Sequence, residues 1–263
     1  MKDMYESLSC GIKLTIANIM SLLILGIGRI SIDNVWGIES FGKISLSLSL
    51  ANFFLVFIQQ ISMVLFPALR RIDEERIKSI YRLLRNFLGL ILPTIYILYF
   101  PIKIIIGMWL PQYSLSLKYL GLLLPLCIFD GKMQLLCNTY LKVLRKEGKL
   151  LQFNLVAFIV SLISCSISAY CFNNITLVVL CMVSSIAIRS IMAEIYLSKQ
   201  INFTIKKILS CEAFLGIIFM TCAWNMSEFS AIIIILICYI IYLIVNWNTL
   251  NIDELIKKMR SIL

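Results

Sequence analysis

Residues 150–197 read LLQFNLVAFIVSLISCSISAYCF, then Asn173-Asn174, then ITLVVLCMVSSIAIRSIMAEIYL. Each apolar run reaches the roughly 20 residues an α-helix needs to cross about 30 Å of hydrocarbon, and only the two asparagines separate them. The stretch therefore reads as two membrane spans, 150–172 and 175–197. Runs of the same kind occupy 8–29, 41–66, 84–106 and 117–141 before it, and 208–226 and 229–247 after it. The expected fold is all-α, a polytopic membrane protein of about eight transmembrane helices. Composition agrees: 60% of residues are hydrophobic, with a mean hydropathy of +0.94. Ordinary soluble domains hold about 45–50% apolar residues.

Other classes fit less well. Met1 to Gly11 offers neither an apolar core nor a small-residue cleavage site, so the first run reads as a retained span rather than a signal peptide. Ser-Leu-Ser-Leu-Ser-Leu at 45–50 alternates like a strand, but the apolar run around it far exceeds the 9–11 or so residues of a barrel strand. The net charge of +10 sits between the spans rather than on one patch, which argues against nucleic acid as a partner. The nine cysteines (Cys10, Cys127, Cys137, Cys165, Cys171, Cys181, Cys211, Cys222 and Cys238) form no CxxC pair, and the chain has no histidine. Most fall in apolar runs, where Cys packs as a small hydrophobe.

Lys and Arg alternate between connections. Arg70, Arg71, Arg76, Lys78, Arg82 and Arg85 follow the second span, Lys142, Arg145, Lys146 and Lys149 the fourth, and Lys199, Lys206 and Lys207 the sixth. The connections 34–40, 109–116, 173–174 and 227–228 contain neither residue. By the positive-inside rule the basic connections are cytoplasmic, and eight spans put both termini on that side. Two segments read as amphipathic and lipid-surface bound: 73–84, with Ile77, Ile80, Tyr81 and Leu84 on one face, and 251–263, with Ile252, Leu255, Ile256, Met259 and Leu263 on one face. Pro93 and Pro101 are candidate kinks in the third span.

Polar side chains within spans are the informative ones, because each is costly in hydrocarbon. Ser45, Ser49, Asn52, Gln59 and Gln60 make a stripe on the second span, suited either to helix packing or to lining a cavity. Asp130, Gln134 and Asn138 follow at i, i+4, i+8, and Lys132 lies about 200° around the helix from Asp130, so the two cannot pair. Pro125 and Gly131 suggest a bent or opened helix there. Arg189 precedes Lys199 by about 15 Å of helix rise, too deep to snorkel, and Asp130 is its preferred partner. Arg29 and Asp33 have pairing spacing, while Glu194 is close enough to the end of its span to snorkel. No phosphate loop, HExxH, GxSxG or metal-spaced carboxylate pair occurs, so neither an enzyme nor a cofactor or metal site is expected.

The stretches GIGRISIDNVWGIESFGKISLSLSL (26–50), VLFPALRRID (64–73) and WLPQYSLSLKYLGLLLPLCIFDGKMQLLCNTYLKVLRKE (109–147) resemble the C-terminal half of Wzx-type polysaccharide (O-antigen and capsule) flippases, in the multidrug/oligosaccharidyl-lipid/polysaccharide (MOP) exporter superfamily. The resemblance covers about 8–199. It implies a multi-pass protein of the bacterial inner membrane, built from two MATE-like six-helix lobes, often with two more C-terminal helices. Such a protein moves undecaprenyl-diphosphate-linked oligosaccharide by alternating access. On that reading 1–200 is the C-terminal lobe, 201–263 carries the extra pair and tail, and a separate N-terminal lobe completes a truncated half. The implied cavity residues are Arg29, Asn52, Gln59, Asp130, Lys132, Gln134 and Arg189, with the cations meeting the diphosphate and membrane lipids surrounding the rest. Two other readings stay open: a cation-coupled drug exporter using Asp130 as proton or sodium site, and a non-transporting subunit that holds glycosyltransferases at the membrane.

Overall fold

The computed structural model describes residues 2–71, 73–109 and 111–250, and the expected amphipathic tail at 251–263 lies outside them. The described residues are almost entirely helical, without strands. The elements are α1 (Lys2–Leu69), α2 (Glu74–Ile91), α3 (Ile95–Trp109), α4 (Ser114–Lys132), α5 (Thr139–Val143), α6 (Glu147–Ser166), α7 (Ile175–Ile201), α8 (Lys206–Asn225) and α9 (Glu228–Leu250). The protein is an all-α polytopic membrane protein: among the described residues seven helical segments are long and apolar enough to span a bilayer.

The first segment is two arms. Gly37 alone within α1 departs from helical geometry, at φ 77° and ψ 179°, a conformation open to glycine and strained for other residues. Ser9, Cys10 and Lys13 border the same cavity as Phe66 and Arg70. A straight helix would hold Ser9 and Arg70 roughly 90 Å apart, so the chain must turn back at Gly37. The seven segments thus hold eight apolar arms, the number of runs in the sequence.

Small polar side chains fasten the arms to their neighbours, as expected where no hydrophobic effect drives helices together. On α6, Asn154 and Ser161 donate to the carbonyls of Ala17 (2.8 Å) and Ile24 (2.7 Å) in the first arm. In the second arm, Ser47 donates to Ser116 O at 2.6 Å and Ser62 to Gln134 O at 3.2 Å, which seats that arm along α4.

The segment 73–84 is amphipathic as expected, but its apolar face meets protein. Ile77 and Tyr81 are buried, and the Tyr81 ring packs edge-on against Tyr140 at 5.0 Å. It forms the start of α2, which continues through a 3₁₀ turn, Leu92–Thr94, into α3. Pro93 explains that turn: it lacks the N–H that would bond Gly89 O. The freed carbonyls are taken up from α9, where Tyr242 donates to Gly89 O at 2.9 Å and Tyr239 to Leu90 O at 2.8 Å. On the other side α3 meets α8 through Tyr96 stacked on Phe219 at 4.3 Å. The helix carrying Pro125 stays α-helical to Lys132, and the opening expected there comes later, as a π-helical stretch at Met133–Asn138.

Candidate functional site

Four buried charges from four helices meet near the basic end of the bundle. Arg85 (α2) binds Glu194 (α7) at 2.6 Å and grips both oxygens of Glu212 (α8) at 3.1 Å. Lys132 (α4) reaches Glu194 at 3.2 Å and Glu212 at 2.5 Å. Each cation thus serves both carboxylates and the group is neutral. Arg85, Lys132 and Glu194 have no exposed surface and Glu212 only 3%. Isolated charges at such depth are costly, and mutual pairing is what makes their burial tolerable. The Lys132 ammonium also lies 5.3 Å from the Phe129 ring, and Tyr242 Oη sits 3.3 Å from Glu212.

A second charged group lies on the other side of α4. The expected pair forms: Arg189 donates to Asp130 and also to Ser21 in the first arm of α1. Gln134 Nε2 donates to Asp130 at 2.5 Å. Arg189 Nε, Gln134 Oε1 and Asn138 Oδ1 are buried without a hydrogen-bond partner among the described residues. Asp130 and Lys132 therefore point into separate clusters, as their angular separation on the helix requires.

The remaining expected residues are not drawn into either cluster. Arg29 is half-buried, and its Nε has no hydrogen-bond partner among the described residues. No ion pair joins Arg29 to the exposed Asp33 among the described residues, which corrects the expected i, i+4 bridge. Asn52, Gln59 and Gln60 are exposed on the outward side of α1, and polar packing on that arm falls instead to Ser47 and Ser62.

Two further expectations are corrected. Glu194 does not snorkel; it is fully buried between Arg85 and Lys132. Arg85, counted with the basic connection, is inside the bundle, because α2 carries it in on the same face as Tyr81 and Leu88. Arg85 and Glu212 are the residues missed. The signal for Glu212 was available: Lys132 needs a carboxylate, and Asp130, Glu194 and Glu212 are the acidic residues of the apolar runs.

All cysteines are free thiols, with Cys127, Cys137, Cys165 and Cys222 buried. Among the described residues no three His, Cys, Asp or Glu side chains converge to hold a metal ion. No family model matches the chain, and neither does any curated protein or solved structure.

Proposed function

We propose that this chain is one lobe of a transporter that flips undecaprenyl-diphosphate-linked oligosaccharide across a bacterial inner membrane in polysaccharide biosynthesis, acting without enzymatic chemistry. Arg29 carries the reading. The other deep charges, Arg85, Lys132, Glu194, Glu212, Asp130 and Arg189, neutralise one another, whereas Arg29 has no carboxylate among the described residues. It lies about 12 Å along the helix from the turn at Gly37, within the stretch that resembles the flippases. A half-buried guanidinium without a counter-ion suits a cargo that brings its own negative charge. The exposed Asn52 and Gln59 on the neighbouring arm suit a polar headgroup and a second lobe packed across it. The basic ends of the helices define the cytoplasmic side, with both termini there.

The exporter reading is weaker because Asp130, its coupling site, is already occupied by Arg189 and Gln134. Glycan-export complementation in a flippase-deficient bacterium tests the proposal, using this chain with a matching N-terminal lobe. Export should fall at least tenfold with Arg29→Ala and survive Arg29→Lys. Equal export by the alanine variant and the parent removes the main support.

A further inference from the structure

At the basic end, three parts of the chain that are remote in sequence surround one cavity of about 760 Å³. Lys13 comes from the first arm of α1, Arg70 from the turn that ends the second arm, and Lys142 and Arg145 from α5 and the turn after it. Among the described residues Glu147 is the one carboxylate on the rim, and Leu14, Phe66 and Val143 provide apolar wall. Among the described residues none of the four cationic side chains forms an ion pair or hydrogen bond, with Glu147 or with anything else. Of the cations at this end outside the cavity, three have partners, while Arg71, Arg76, Lys78, Lys146, Lys199 and Lys206 stand apart from its lining. Arg82 donates to the carbonyls of Ile201 and Asn202, Lys149 to Gln152, and Lys207 to Val245 O.

Four like charges repel, and side chains this long would separate into solvent if nothing held them together. Here the backbone holds their attachment points. The reversal at Gly37 brings Lys13 and Arg70 to one end. The turn after α5 is closed by Leu144 N–H to Tyr140 O at 2.9 Å and Lys146 N–H to Leu141 O at 2.8 Å, with Arg145 at φ 52°. A concave surface with four cations against one carboxylate, an apolar wall and an open mouth matches a compact anion with several acceptor oxygens.

We propose that this cavity binds a phosphate group bearing two or more negative charges, at a site separate from the intramembrane charges and independent of the transport reading. Its place at the end of the membrane arms allows two sources, a phospholipid headgroup or a free phosphate.

Cys10 lines the cavity and reports its occupancy, while Cys171, exposed at the end of the π-helical stretch Ile167–Cys171 that follows α6, is an internal control. The full chain is placed in phosphatidylcholine nanodiscs and labelled with an uncharged maleimide under three conditions: no addition, millimolar inorganic pyrophosphate, or part of the lipid replaced by phosphatidate. Labelling of Cys10 should slow at least fivefold with an occupant and that of Cys171 should not change. Protection by pyrophosphate assigns a soluble phosphate, and protection by phosphatidate alone assigns the lipid headgroup. An Arg70→Gln/Lys142→Gln/Arg145→Gln variant should lose the protection at unchanged unfolding temperature, while Arg70→Lys/Arg145→Lys keeps it. The proposal is overturned by equal slowing at Cys171, by no slowing with either ligand, or by protection that survives in the glutamine variant.

Discussion

The buried quartet shows how a residue's cost depends on its partners. Glu212→Gln leaves Arg85 and Lys132 facing a single carboxylate, and breaking a buried pair this way costs about 3–5 kcal/mol. Thermal unfolding in detergent should register that loss. Lys132→Met with Glu212→Gln restores neutrality around Arg85 and Glu194, so the double variant should be clearly more stable than the sum of the two single changes. Simple additivity would show that the four do not act as a unit. The pairing of Asp130 with Arg189 was legible in the sequence, since two opposite deep charges with no local partner must meet. The quartet was not. Depth read along the chain put Arg85 in a connection and Glu194 at a helix end, but depth in the fold is set by how α2 and α7 pack. The unpaired Nε of Arg29 was equally hidden, because i, i+4 spacing to Asp33 permits a bridge without requiring one.

At the scale of elements, two local devices set the arrangement. Gly37 supplies the reversal in α1, and nothing lies within 4 Å of a Cβ added there, so the penalty for a side chain is conformational rather than steric. Gly37→Ala should cost about 1–3 kcal/mol, whereas Gly42→Ala, also in open space but helical, should be neutral or slightly stabilising in the same unfolding measurement. Comparable effects at the two positions would deny Gly37 its role. Pro93 is the second device. Tyr242→Phe leaves Gly89 O without its donor and should cost about 1 kcal/mol, and much less in a Pro93→Ala background, where the restored N–H can bond that carbonyl. Lengths and hydropathy made the spans readable. The π stretch at Met133–Asn138 and the capping of the Pro93 kink depend on contacts between helices and leave no mark in local sequence.

For the whole molecule, the reversal at Gly37 places the connections in two opposite sets. In a background freed of native cysteines, Asn34→Cys and Ser227→Cys should react with an impermeant maleimide from one side of the membrane and Gly148→Cys from the other. All three residues are exposed. Labelling of Asn34→Cys together with Gly148→Cys would mean that α1 does not turn back. Reconstitution is the decisive test of the proposed transport of a lipid-linked diphosphate. Proteoliposomes holding this chain and a matching N-terminal lobe would be loaded with undecaprenyl-diphosphate-linked oligosaccharide on one leaflet, and the sugar reaching the other leaflet measured with an impermeant glycosidase. A flippase lobe should give movement well above protein-free vesicles, abolished by Arg29→Ala and kept by Arg29→Lys. Sugar that stays on its original leaflet, with both lobes inserted and co-purifying, would contradict it.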